Sequence, residues 1–170
     1  MACALTSGYT LDCRDSLGGV VEVYFIEAGN VTAVTEASGN ITAITKAATK
    51  VFRLYEQEIG TAFFVENFNG NIQNGTIFYQ QELTIVVNKM QTAIRNQLLL
   101  LNQNRLKAVV KDSNGAYWYL GKTRSLFSTG GNSGSGTASG DRNGYTFTFT
   151  AMEAELAPSV SSGIIAGLLT

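Results

Sequence analysis

The chain contains no histidine, and this absence removes the most common general base of enzymes. No Ser-His or Cys-His nucleophile can form, and the two cysteines alone make a poor zinc site. The spacing of the carboxylates singles out no two that would face each other across a cleft, as a glycosidase requires. We therefore expect no enzyme activity, no catalytic residue, no metal and no cofactor. We expect Glu153 and Glu155 to lie at the exposed end of a strand.

Charged residues are also scarce, at 15% of 170 residues, where about a quarter is usual for a soluble domain. The formal net charge of −1 gives no attraction to nucleic acid or to an anionic membrane. Hydrophobic residues make up 45%, and there are 18 glycines. This composition fits a surface that other copies of the chain bury, and it fits equally an ordinary β domain with a neutral surface.

Long apolar runs are missing, so no segment approaches a transmembrane span. The first residues lack the basic and apolar regions of a secretory signal, which predicts folding in a reducing cytosol. We accordingly expect Cys3 and Cys13 to be free thiols. The length of the chain predicts one domain, residues 1–170, with room for a substantial core.

The centre of the chain, residues 77–121, has the pattern strand, helix, strand, tight turn, strand. A helix is predicted over about 89–103, because apolar residues recur there with a period of 3.6: Met90, Ile94, Leu98 and Leu101. Asn88 is the candidate N-cap. Asn104 is the candidate stop, because asparagine tolerates the left-handed conformation.

Two further patterns predict β-structure. Asn114-Gly115 separates two β-rich runs, and both residues accept positive φ, so a hairpin is expected. Aromatic residues at 145, 147 and 149 alternate with threonines, which is the period of a half-buried strand. We expect Tyr145, Phe147 and Phe149 to be buried together with the apolar face of the helix.

The first half of the chain contains a ten-residue echo. Residues 29–37 and 39–47 match almost position for position, and each copy is a strand opened by a Gly-Asn turn. Two copies predict a hairpin and not a solenoid. Glu36 and Lys46 are the one charge swap between the copies, and we expect them to face each other across the hairpin or to meet a neighbouring strand.

Three segments are predicted to lie outside the sheets. They are an irregular N-terminal arm (1–19), a flexible Gly/Ser loop (128–140) and a small-residue C-terminal tail (157–170). The predicted fold class is mainly β, an antiparallel β-sandwich or barrel with one packed α-helix. Arm and loop are expected to become ordered on assembly, with strand addition at a sheet edge as the mode.

The opening MACALTSGYTLDCRDSLGGV, the strand-helix-strand centre and GDRNGYTFTFTAMEAELAP resemble virion structural proteins of tailed bacteriophages, especially those that infect Bacteroidetes hosts. Size and layout are most similar to the tail tube proteins. That resemblance implies a tail-tube-like β fold and hexameric rings that stack into a tube in the virion, after assembly in the host bacterial cytoplasm. It also implies contacts with other tail or connector proteins, DNA passing through the lumen without specific binding, and no membrane.

Two alternatives remain open at this point. The first is a capsid decoration or head–tail connector protein. The second is a β-sandwich carbohydrate-binding module with an aromatic platform drawn from Tyr55, Tyr117, Trp118 and Tyr119. At most Tyr117 and Tyr119 share one face of their strand, because side chains alternate.

Overall fold

The protein is built mainly from β-strands, as the sequence predicted. The computed structural model describes Leu5 and residues 7–170. The strands of that part of the chain are β1 (Val20–Glu27), β2 (Val31–Ala37), β3 (Asn40–Lys46), β4 (Arg53–Glu56), β5 (Phe63–Asn71), β6 (Thr76–Asn88), β7 (Leu106–Asp112), β8 (Tyr117–Leu120), β9 (Phe127–Gly134), β10 (Gly144–Glu153) and β11 (Ser159–Val160). The helices are α1 (Thr92–Gln103) and the short α2 (Ile165–Leu168), with 3-10 turns at Ala28–Asn30 and Ser162–Ile164.

The strands form two sheets that pack as a sandwich. One sheet has seven strands in the order β2-β3-β11-β8-β7-β1-β4, and the other has four in the order β5-β6-β10-β9. Phe25 of the first sheet packs on Phe149 of the second, with ring centroids 5.2 Å apart. Two isolated bridges, Val20 to Ala62 and Leu106 to Leu126, join the sheets at their corners. The sandwich is therefore partly closed toward a barrel.

The core between the sheets contains the predicted aromatic strand and helix. Phe147 and Phe149 of β10 are buried in one cluster with Leu98 and Leu101 of α1, and Tyr145 packs against it. The predicted burial of the aromatic strand against the helix is confirmed for Phe147 and Phe149, whereas Tyr145 is only half-buried. The alternating pattern was informative because one face of β10 meets a dry core while the other carries threonines.

A second apolar cluster lies on the opposite face of the seven-stranded sheet. The C-terminal residues cover this face with Val160, Ile165 and Leu168, which pack against Tyr24 and Tyr119. Residues 157–170 are thus a structural cover and not a loose tail. They add β11, and the backbone N–H of Phe52 donates to the carbonyl of Leu168 at 2.9 Å. The central strands β1 and β7 of this sheet are buried on both faces for this reason.

Helix α1 starts three residues later than predicted. Lys89 has φ +67°, a left-handed conformation that changes the direction of the backbone between β6 and the helix. Gln91 is the N-cap and makes no side-chain capping bond, so the predicted cap at Asn88 is wrong. Met90 lies outside the helix and is exposed. The apolar period was correct for Leu98 and Leu101, which face the core.

The helix ends at the predicted place by another mechanism. Asn104 is extended, with φ −94° and ψ 154°, and not left-handed. Its Nδ2 donates to the carbonyl of Leu100 at 2.8 Å, and its backbone N–H donates to the same carbonyl at 3.1 Å. Asparagine stops the helix here because both of its donors satisfy a carbonyl that the last turn leaves free.

The β7–β8 hairpin is confirmed, with a different turn from the one predicted. Only Gly115 has positive φ, at +84°. Its N–H donates to the carbonyl of Asp112 at 3.1 Å, and the N–H of Asp112 donates to the carbonyl of Ala116 at 2.9 Å. This pattern is a three-residue loop with one left-handed glycine, so Asn114 does not need positive φ.

The predicted echo forms the β2–β3 hairpin. Its two-residue turn is Ser38-Gly39, with φ +53° and +77°, instead of the Gly-Asn pairs seen in the sequence. The expected facing of Glu36 and Lys46 within the hairpin is wrong, because the turn at Ser38-Gly39 places Glu36 opposite Ile41 and Lys46 opposite Val31, at the two ends of the hairpin. Glu36 instead forms an ion pair with Lys122, with Nζ and Oε2 2.5 Å apart.

The predicted flexible loop over residues 128–140 is wrong in its first half. Residues 127–134 form β9, which pairs antiparallel with β10. Gly131 is required in this strand, because a Cβ there would lie 2.4 Å from the carbonyl oxygen of Thr146. From the sequence alone, these glycines are interpreted as a sign of flexibility. In the structure, Gly131 instead permits the close approach of two strands.

The N-terminal arm is irregular as predicted, over its described residues. Leu5 and residues 7–19 form no strand or helix. The arm meets the body at the β7–β8 turn, where the Asn114 side chain accepts from the N–H of Leu17 at 2.7 Å and donates to its carbonyl at 2.9 Å.

Candidate assembly surfaces

The buried carboxylates hold backbone segments together. Glu153 is 4% exposed, so the expectation that it lies at an exposed strand end is wrong. Its Oε1 accepts from the N–H groups of Thr123 and Arg124 at 2.9 and 2.8 Å. No local pattern predicts these contacts, because both amides come from a loop about thirty residues earlier in the chain. Glu153 satisfies two donors that would otherwise lack a partner.

A second polar group ties β5 and β6 to the C-terminal segment. Glu66 Oε1 accepts from Gln81 Nε2 at 2.9 Å and from the N–H of Ala157 at 2.8 Å. Gln81 Oε1 accepts from the N–H of Gly121 at 3.0 Å. Among the described residues no group of three His, Cys, Asp or Glu side chains is placed to hold a metal ion.

The four aromatic residues of the alternative platform are dispersed. Tyr119 is fully buried and Tyr117 packs beside Tyr24, on one face of the seven-stranded sheet. Trp118 points to the other face, where its Nε1 donates to Asp112 Oδ2 at 3.1 Å. Tyr55 packs edge-on to Phe25. Since these rings are used in packing, the proposed glycan platform does not form.

Exposed apolar side chains concentrate in two places instead. One is the N-terminal arm, whose exposed residues are Leu5, Tyr9, Leu11 and Leu17. The other is the β5–β6 hairpin, whose exposed residues are Phe63, Val65, Phe68, Ile72, Ile77 and Phe78. Large apolar side chains that are exposed to solvent at neighbouring positions are typical of surfaces that a partner covers.

The end of the β5–β6 hairpin extends past the core. Phe64 still packs against the cluster between the sheets. Beyond the Glu66–Gln81 pair, Phe68 is 66% exposed and Ile77 62% exposed, and Ile72 at the turn is 99% exposed. We call residues 67–79 the overhang.

The four-stranded sheet has two open edges. Its first strand, β5, has nine residues and its last, β9, has eight, and each pairs with one neighbour only. The N–H and C=O groups on the outer side of such strands are free to pair with another chain. Strand β9 carries no charge, no proline and no large side chain after Phe127, and its protection is limited to one β-bulge opposite Thr148 and Phe149 and to contact with α1.

The face of this sheet that points away from the core carries no basic side chain from its strands. Threonines at 146, 148 and 150 share it with Glu82, Asn132 and Met152. Arg142, from the loop before β10, donates to Thr146 Oγ1 at 2.6 Å at the margin. We call this the outer face.

Cys13 is exposed and forms no disulfide with any described residue. Cys3 lies outside the described residues, so the prediction that both cysteines are free thiols remains a prediction. No helix in the described part of the chain has the length and apolar content to cross a membrane.

Comparison with known proteins returned no matching family model, no matching curated protein and no matching solved structure. The structure itself shows a β-sandwich in which one sheet has two open edges and in which the arm and the β5–β6 hairpin expose apolar side chains.

Proposed function

We propose that this protein is a structural virion protein whose copies assemble into stacked rings that form a bacteriophage tail tube. The observation that supports the proposal is the pair of open edges, β5 and β9, on opposite sides of one sheet. Strand directions alternate from β5 through β6 and β10 to β9. The β9 edge of one copy therefore meets the β5 edge of the next in antiparallel orientation, and the sheet continues.

Such a contact is heterologous, because two different surfaces of each copy meet. A heterologous contact that repeats by rotation closes into a ring, and otherwise it forms an open filament. A ring of this kind also removes the exposed edges, as closed barrels do. Edge pairing then becomes the function of the sheet.

The outer face supports a lumen through which DNA passes without specific binding. Basic side chains neutralise phosphates and hold nucleic acid. The strands place none on this face, where Glu82 lies among threonines and the apolar side chains of Phe63, Val65 and Phe127. A neutral to acidic wall lets a polyanion slide.

A capsid decoration protein or a head–tail connector depends on contacts with a different protein. Two complementary edges on a single chain favour contacts between copies, so the tail tube is the stronger proposal.

The test is electron microscopy of the purified full-length chain with an edge variant and a matched control. The natural protein is expected to form rings or tubes at high concentration. Gly130→Lys with Asn132→Lys adds two charges to the β9 edge, and assembly is expected to fall at least tenfold. Position 130 is open, with nothing within 4 Å of a Cβ there. Thr146→Lys with Met152→Lys adds the same charge to the central strand β10 and is expected to assemble normally.

Thermal unfolding monitored by circular dichroism checks that both variants fold. A natural chain that stays monomeric at high concentration contradicts the tail-tube proposal. Equal loss of assembly in both variants contradicts edge pairing.

A further inference from the structure

The N-terminal arm has the sequence pattern of a strand without belonging to a sheet. Apolar Leu5, Tyr9 and Leu11 occupy odd positions, with Ser7 between them, while the even positions carry threonine, glycine and aspartate. In an extended segment these odd positions share one face. Leu5 is 98% exposed, Tyr9 84% and Leu11 92%. An amphipathic extended segment of this kind buries its apolar face only when it packs against another surface.

The arm is directed away from its own β5–β6 hairpin. Val20 bridges Ala62, so the chain before Val20 would continue along β5 if it stayed extended. Gly19, at φ +104°, turns it away. Asn114 then holds Leu17 at the β7–β8 turn with two hydrogen bonds. The arm thus leaves its own body at about Ser16.

From that point the arm is long enough to reach a neighbour. Ser16 lies eleven positions after Leu5, and eleven steps of extended chain span roughly 35 Å. A compact domain of this length has a radius of gyration of about 15 Å. The arm therefore spans more than the radius of its own body.

The overhang offers an apolar surface of matching chemistry. Phe68 and Tyr79 lie opposite each other in the hairpin register and pack edge to face, with centroids 5.3 Å apart. Ile77 follows on the same face, opposite Gly70, which leaves it uncovered. We call Phe68, Ile77 and Tyr79 the overhang patch.

Neither surface carries a charged side chain that burial would leave unpaired. Residues 67–81 contain no Asp, Glu, Lys or Arg, and neither do residues 1–11. Burial of an unpaired charge is costly, and here that cost is absent from both sides. The overhang instead presents asparagine and glutamine amides that can pair with an extended backbone.

We propose that the arm of one copy docks on the overhang patch of a second copy, with Tyr9 and Leu11 covering Phe68 and Ile77. The proposal rests on the proposed self-assembly for the identity of the partner. It uses side chains on one face of the β5–β6 hairpin, whereas the edge contact uses the outer backbone groups of β5 and β9. In a tube, edge contacts join copies within a ring and the arm joins copies of adjacent rings.

The test uses the edge variant, Gly130→Lys with Asn132→Lys, in which ring closure is blocked. Its self-association is measured by sedimentation velocity. In this background Tyr9→Ser with Leu11→Ser removes the arm contact, and Phe68→Ser with Ile77→Ser removes the patch. Each double substitution is expected to weaken association more than tenfold. An equimolar mixture of the two is expected to restore dimers, because one intact arm meets one intact patch.

Val65→Ser with Met152→Ser is the matched control, since it removes two similarly exposed apolar groups from the outer face. It is expected to leave association unchanged. A mixture that stays monomeric while the edge variant associates overturns the proposal, and so does a monomeric edge variant. If the edge lysines leave rings intact but the arm and patch variants still complement each other, the edge proposal fails and this one stands.

Discussion

Tyr119 illustrates what residue-scale chemistry adds to the fold. Its ring is fully buried, and its hydroxyl has no hydrogen-bond partner among the described residues. Burial raises the pKa of Tyr119, with Glu153 as a second cause, so the phenol stays neutral. An unpaired buried hydroxyl lowers stability, because its hydration is lost without replacement.

We expect Tyr119→Phe to raise the free energy of unfolding by roughly 1 kcal/mol, since it removes that unpaired group and keeps the ring. Urea unfolding followed by tryptophan fluorescence measures the change. Tyr24→Phe is the control, because the Tyr24 hydroxyl donates to Glu22, and its loss is expected to destabilise. Destabilisation by Tyr119→Phe would show that the hydroxyl has a partner after all.

Residue roles of this kind were beyond sequence reasoning. Glu153 and Glu155 alternate along the chain, which indicated only that they share a strand face. Burial of Glu153 depends on two backbone amides some thirty residues away. The same holds for Glu36, whose partner Lys122 comes from another part of the chain.

Elements with a clear period were predicted well. The strand Gly144–Glu153 and the helix face at Leu98 and Leu101 follow from alternation and from the 3.6-residue repeat. Element starts were predicted less well, because one left-handed residue, Lys89, fixes where α1 begins. The glycine-rich β9 has no apolar alternation, so its pairing with β10 was invisible in the sequence.

We expect Phe147→Ala to lower the free energy of unfolding by about 3–5 kcal/mol, because it leaves a cavity between β10 and α1. Chemical denaturation measures this directly. Met152→Ala, on the outer face of the same strand, is the control and is expected to cost less than about 1 kcal/mol. A loss as small as that for Phe147→Ala would place its ring outside the core.

At the scale of the whole molecule, the layered β architecture was predictable from the sequence, but the covering of the seven-stranded sheet by the C-terminal residues was not. Alternating β-rich runs and one apolar repeat of 3.6 residues predicted a β-sandwich or barrel with one packed helix, and the low charge fitted a surface that other copies bury. The cover formed by residues 157–170 depends on long-range pairing of β11 with β3 and β8, which no local pattern encodes. The same low charge leaves the β5 and β9 edges and the arm available to other copies, and it supports the proposed assembly.

Covalent trapping of the edge contact tests the central claim most directly. In a Cys3→Ser, Cys13→Ser background, Val65→Cys on β5 and Asn132→Cys on β9 place thiols on the same face at opposite edges of one sheet. A short bismaleimide is expected to give a ladder of linked species that ends at one closed size, because each copy joins two neighbours. Val65→Cys with Thr35→Cys, which replaces the β9 thiol by one on the edge strand β2, is expected to give no such ladder. Monomers alone, or equal ladders from both pairs, would contradict ring assembly through β5 and β9.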